Sequence, residues 1–131
     1  GICLGMQLLF EESDEYNLES SEKGLELLKG KCVQLNKDIS RNIYIPHVGW
    51  NEIKIKNHGK LLNGLSSGDE FYFVHSFRVV PNIDDIISST CLHGIEFVSS
   101  VESGNIFGCQ FHPEKSFNKG FKILKNFLYI N

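Results

Sequence analysis

What the sequence lacks narrows the field first. None of its four cysteines (Cys3, Cys32, Cys91, Cys109) stands in a C-x-x-C pair, and its five histidines show no H-x-x-x-H or similar ligand spacing. No metal site is therefore expected. The cysteines read as reduced thiols of a cytoplasmic protein rather than a disulfide frame. No apolar run approaches the ~20 residues that a membrane helix needs, so no membrane partner is expected. Basic residues are in the minority: 13 lysines and arginines face 16 acidic residues, for a net charge of −3 and a pI near 5.9. The lysines are scattered among acids and form no stripe that could collect phosphates, which argues against nucleic acid as a partner. Repeats, low-complexity tracts and linkers are missing too. Met6 is the only methionine, so Gly1 is not expected to be a natural translation start.

What is present fits one domain. The 131 residues carry 41% hydrophobic and 22% charged side chains, ordinary for a globular chain. A short helix is expected from Leu4 to about Glu12, with Leu4, Leu8 and Leu9 on one side, followed by a polar loop, "SDEYNLESSEKG". Strands are expected at "KCVQL", "EIKIK", "FYFVHS", "DIISSTC", "IEFVSSV" and "NIFGCQF". Phe71–Val74 is apolar at every position, which suggests burial on both faces. The closing "FNKGFKILKNFLYI" places Phe121, Leu124 and Leu128 at helical spacing, with Ile123 and Phe127 beside them, as in an amphipathic helix packed on a sheet. Helices flanking a strand-rich middle give an α/β or α+β class.

Two stretches carry chemistry. "GICLG" has the G-x-nucleophile-x-G form of a nucleophile elbow, a strained strand-to-helix turn in which Gly1 and Gly5 must be small because chain segments converge there. A helix N-terminus would favour the Cys3 thiolate, and the Leu4 N–H would face a developing oxyanion. A buried cysteine in a glycine-rich turn has the same sequence form. In "CQFHPEKS", Pro113 biases His112 towards extended backbone, where residues two apart point the same way, so that His112 and Glu114 project together. A surface turn is the bland alternative. Together, Cys3 as nucleophile, His112 as base and Glu114 as orienting acid complete a cysteine triad.

With those motifs in place, the chain resembles the class I glutamine amidotransferases. "IPHVGWNEI" and "EFYFVHSF", with "FHPEKS", resemble in particular the glutaminase subunits of imidazole glycerol phosphate synthases of histidine biosynthesis. The resemblance implies a flavodoxin-like α/β fold, a mixed sheet flanked by helices. It also implies that residues 1–131 are the C-terminal portion of the domain, with strands ahead of the elbow lying outside this sequence. By itself such a piece is expected to fold poorly or to be nearly inactive. The implied reaction is hydrolysis of L-glutamine without a cofactor, the ammonia passing to a (β/α)8-barrel cyclase partner in a heterodimer. By resemblance, Gln7, Tyr72, His75, Ser76 and Phe77 hold the glutamine, and His47, Trp50, Asn51 and Lys115 face the barrel. Three departures stand out: Glu26 replaces a usual glycine, Phe77 replaces a usual tyrosine, and the segment before the elbow is missing. A paralogue that amidates a sugar, a non-catalytic domain of the same fold and an unrelated cysteine hydrolase are the competing readings.

Overall fold

A computed structural model describes residues 1–15, 21–36 and 43–130. Nine strands and two helices occur among them, in the order α1 (Leu4–Gln7), β1 (Glu12–Ser13), β2 (Glu22–Lys23), β3 (Gly30–Gln34), β4 (His47–Ile55), β5 (Glu70–His75), β6 (Phe77–Pro81), β7 (Ile87–His93), β8 (Ile95–Ser103), β9 (Ile106–Cys109) and α2 (Phe117–Leu128). One sheet runs β2-β1-β3-β6 and mixes parallel and antiparallel pairs; the other runs β5-β4-β7-β8-β9. The architecture is α/β, with two sheets and few helices among the described residues.

The expected strands are present, and the expected "EIKIK" strand is longer than its alternating core. β4 begins at His47 because it serves two neighbours: His47–Glu52 pair with β5, and Ile53–Ile55 pair with β7. On β5, Phe71 and Phe73 are fully buried while Tyr72 and Val74 are half-buried, so only one face is core. The larger core gathers Leu35, Ile53, Phe71, Phe73, Phe97, Phe111 and Ile123, and a second holds Met6, Phe10, Leu28, Val79 and Val101. At about 25 cal/mol per Å² of apolar surface removed from water, these clusters are the main favourable term.

Both helices differ from expectation for a stated reason. α1 ends at Gln7 rather than near Glu12. The carbonyls of Leu8, Leu9, Phe10 and Glu11, which would have continued it, accept instead from the N–H groups of Leu25, Leu28, Glu26 and Gly24. A neighbouring segment outcompetes helix propensity. The polar loop expected over 13–24 contains the pairing of β1 with β2; its residues 16–20 lie outside the described residues. In α2, Phe121 and Leu128 are 76% and 77% exposed, whereas Gly120 and Ile123 are buried. A Cβ at Gly120 would lie 1.9 Å from the Pro113 carbonyl oxygen, so close backbone approach decides which face docks. The inward stripe is one position, about 100°, away from the one that hydrophobic spacing suggested.

Candidate active site

The elbow sits where the chain is tied to both edges of the five-stranded sheet. Ile2 bridges Cys109 in parallel fashion, and the Cys3 N–H donates to the Cys109 carbonyl at 2.8 Å. This hands the chain from an extended segment straight into α1. Cys3 occupies the turn at φ 50°, ψ −109°, a region that costs a non-glycine residue on the order of 1–3 kcal/mol and clusters at functional sites. The small-residue requirement holds at one flank only. A Cβ on Gly1 would meet the Gly5 carbonyl at 2.4 Å, while at Gly5 itself there is open space.

Cys3 is half-buried. Burial pushes its thiol up from the ordinary cysteine value, and the carboxylates of Glu114 and Glu15 push the same way. The Leu4 N–H and the Gln110 amide oppose them. The Leu4 N–H at the start of α1 favours the thiolate, as expected there, but burial is the larger effect. The thiol donates to the Val74 carbonyl at 3.7 Å. An external base is needed to remove its proton.

His112 is the candidate for that base. Its backbone N–H donates to the Tyr72 carbonyl at 2.8 Å. Tyr72 and Val74 are two residues apart on β5, so their carbonyls leave the same edge about 7 Å apart, and the Cys3 thiol and the His112 backbone approach one strand edge. His112 Nδ1 lies 2.6 Å from Glu114 Oε1. The pair forms by a different route from the one expected. His112 is extended (φ −99°, ψ 95°), but Pro113–Lys115 is a turn of 3-10 helix, and Glu114 folds back onto the ring rather than running parallel to it. With Nδ1–H given to the carboxylate, Nε2 carries the free lone pair. That Nε2 is buried and has no hydrogen-bond partner among the described residues. A buried polar atom left unpaired calls for a functional account.

The remaining sequence-based assignments divide. Gln7 is buried, and its Nε2 donates to the Phe77 carbonyl at 3.2 Å and to Gln110 Oε1 at 3.0 Å. That amide is spent inside the protein. His75 is 5% exposed, with Nδ1 on the Phe77 carbonyl (2.8 Å) and Nε2 on His47 Nδ1 (3.0 Å); both ring nitrogens are occupied, so its ring is not available to glutamine. Ser76 and Phe77 are half-buried, and the Ser76 carbonyl accepts from the Leu35 N–H. Tyr72 turns towards the surface, its ring 6.0 Å from Trp50 and 5.6 Å from the Lys115 ammonium.

Among the residues expected to face a partner, Trp50 and Lys115 are exposed and share a patch with Phe117, whose ring stacks on Trp50 at 5.1 Å. His47 is not on that patch. It is 3% exposed, stacked on Phe73 and His93 and bonded to His75. Asn51 follows it inward, reaching the Leu92 carbonyl at 2.9 Å and His47 Nε2 at 3.4 Å. Along a strand, neighbours face opposite sides, so Trp50 and Asn51 do not present the same surface.

Sequence reasoning missed Gln110 and Glu15. Gln110 stood in the quoted motif but counted only as context; it is fully buried and donates to the Cys3 sulfur at 3.5 Å. Glu15 lay in the polar loop, and it lines a cavity of about 250 Å³ beside the elbow with Leu4, Gln7, Glu12 and Lys23. Among the described residues no cluster of His, Cys, Asp and Glu could hold a metal ion, and no helix is long and apolar enough to cross a membrane.

Comparison with known proteins bears on this arrangement. Residues 1–131 match the family model of class-I glutamine amidotransferases. The chain is 52% identical over 128 residues to the imidazole glycerol phosphate synthase subunit HisH of Pyrococcus furiosus, covering 97% of this chain and 62% of that protein. It is 46% identical over 127 residues to the subunit of the same name from Aquifex aeolicus, covering 97% and 58%. The chain thus spans about three fifths of the length of these relatives. Among solved structures, the glutaminase domain of Trypanosoma brucei CTPS with bound acivicin has a TM-score of 0.59 at 16% identity, covering 100% of this chain and 60% of that one. At such an identity this likeness speaks to the fold alone.

Proposed function

The chain belongs to the class-I glutamine amidotransferase family, and on that premise we propose that it hydrolyses the side-chain amide of L-glutamine through Cys3, His112 and Glu114. The observation that carries the reading is the His112 ring: Nδ1 is held by Glu114 at 2.6 Å while Nε2 is buried without a partner among the described residues. His112 Nε2 takes the proton of the neutral Cys3 thiol, and the thiolate attacks the amide carbon. The Leu4 N–H, already directed at the sulfur, is one donor to the oxyanion of the tetrahedral intermediate. His112 then returns the proton to the departing ammonia and activates water to cleave the γ-glutamyl thioester. Glu114 supports the imidazolium at each stage. The cavity beside the elbow carries Glu12, Glu15 and Glu22 against Lys23, a negative balance suited to the α-ammonium of an amino acid.

The relatives are named as imidazole glycerol phosphate synthase subunits. By that likeness the ammonia is consumed in imidazole glycerol phosphate synthesis, in the cytoplasm, by a (β/α)8-barrel cyclase. The exposed patch of Trp50, Tyr72, Lys115 and Phe117 is the surface suited to dock it. The test is turnover with the partner present. Cys3→Ser is expected to abolish glutamine-dependent product formation and to leave ammonium-dependent formation intact. Retained glutamine-dependent turnover in Cys3→Ser overturns the nucleophile assignment, and failure of ammonium to rescue it overturns the transfer of ammonia.

A further inference from the structure

Cys3 is held from one side by a side chain that the triad does not explain. Gln110 is fully buried, and its Nε2 lies 3.5 Å from the Cys3 sulfur. Its amide has only one permitted orientation. Gln7 Nε2 donates both to the Phe77 carbonyl and to Gln110 Oε1; a carbonyl can only accept, so Gln7 turns its NH2 towards Gln110, and Gln110 must answer with oxygen. The nitrogen of Gln110 is left facing the sulfur.

The Phe77 carbonyl that anchors Gln7 is fixed from its other side. Asn51 donates to the Leu92 carbonyl and accepts the Glu52 N–H, which sets its amide. Its Nδ2 therefore donates to His47 Nε2, His47 Nδ1–H to His75 Nε2, and His75 Nδ1–H to the Phe77 carbonyl. Two donor arms meet on one backbone oxygen. One comes from the interior of β4; the other ends at the nucleophile.

We propose that Gln110 is a positioning residue for the reacting sulfur: its amide, locked by Gln7, keeps an N–H on Cys3 while the thiol becomes a thiolate. The proposal rests on the reading of Cys3 as nucleophile. A hydrogen bond to an ionised group is stronger than one to its neutral form, so the contact favours the state that attacks. Burial and the facing carboxylates of Glu114 and Glu15 oppose ionisation. His112 approaches as the base, and the neighbouring Cys109 thiol, pushed up to about 12 by burial, stays neutral. Gln110 and the Leu4 N–H are the two groups that favour the thiolate. A purely structural amide, tying α1 to the end of β9, would have no such effect on the sulfur.

The experiment reads the sulfur itself. Iodoacetamide alkylation of Cys3 is followed by mass spectrometry across pH in the wild-type protein, Gln110→Met and Gln7→Met, with folding checked by circular dichroism. Gln110→Met keeps the volume and removes the donor; its alkylation midpoint is expected to rise by about one pH unit, a roughly tenfold slower reaction at neutral pH. Gln7→Met frees the amide to rotate and is expected to give a smaller shift in the same direction. With the partner present, kcat for glutamine is expected to fall with KM little changed. Folded variants with the wild-type midpoint, or with a change in KM alone, overturn the proposal. If Gln110→Met does not fold, Gln7→Met decides: an upward shift supports it and an unmoved midpoint overturns it. Failure of the nucleophile reading looks different, because Cys3→Ser would then keep its glutamine turnover whatever the alkylation profiles show.

Discussion

His75 and His112 both meet the path of β5, yet they are opposites in wiring. His75 has both ring nitrogens engaged, one with His47 and one with the Phe77 carbonyl. His112 has one nitrogen on Glu114 and the other buried without a partner among the described residues. The more deeply buried ring is the satisfied one; its side chain belongs to the core, between Phe73 and Phe97. What separates the two rings is not burial but an unmet hydrogen bond, which the proposed mechanism uses at His112. Their replacements should therefore fail in different ways.

The largest expected effect is on chemistry. His112→Ala should lower glutamine-dependent kcat by on the order of 10²–10⁴, the usual range for loss of a general acid–base group, with the unfolding midpoint close to wild type. His75→Ala should do the reverse, losing about 1–3 kcal/mol of stability by stranding buried polar partners; urea unfolding and steady-state rates of the two variants would settle it. A wild-type midpoint in His75→Ala would break the contrast.

Acid provides the next test. Burial, the main cause, holds His75 down to about 4 and His47 down to about 3, from an ordinary value of 6.5. The unfolded chain takes up protons below 6.5 that the folded chain refuses until lower pH, so this stability is complete above 6.5 and is lost as pH falls towards 4 and 3. Urea midpoints measured from about pH 7 to pH 4 should decline, and His75→Gln should flatten part of the decline. At the other end, burial pushes Cys32, Cys91 and Cys109 up to about 12. Stability held by these neutral thiols is complete below the ordinary cysteine value of 9.0 and is lost between there and 12.

The smallest effect lies in backbone strain. Glu26 stands at φ 56°, and its ion pair with Lys23 is an exposed contact at 3.5 Å. Glu26→Gly should raise stability by about 1 kcal/mol, since glycine occupies the left-handed region without the Cβ penalty. An unchanged or lower melting temperature would contradict that.

The strands were legible in the sequence because alternation and β-branched runs are local, and Cys3, His112 and Glu114 could be proposed as a triad because each sits in its own short motif. Glu26 stood out as an anomaly where glycine is usual, and its left-handed φ of 56° agrees with that. The inner face of α2 was not legible, because the choice of Ile123 over Phe121 depends on how closely Gly120 approaches Pro113, a long-range fact. The length of α1 was decided by residues 24–28, which take its last carbonyls. His47 and Asn51 were assigned outward with Trp50, yet strand alternation alone would have put Trp50 on the opposite side from both. Gln110 carried no signal of its own, since a buried amide beside a sulfur is defined only once Cys3, Gln7 and Cys109 are brought together.

The central claim is that the Cys3 thiol and the His112 imidazole act as one unit on glutamine. It is tested most directly by treating the protein with a diazo-ketone glutamine analogue and locating the adduct by mass spectrometry. The account expects a single adduct on Cys3, prevented by excess glutamine and slowed by roughly tenfold or more in His112→Ala. An adduct on Cys32, Cys91 or Cys109 in its place, or a rate at Cys3 indifferent to His112, would contradict it.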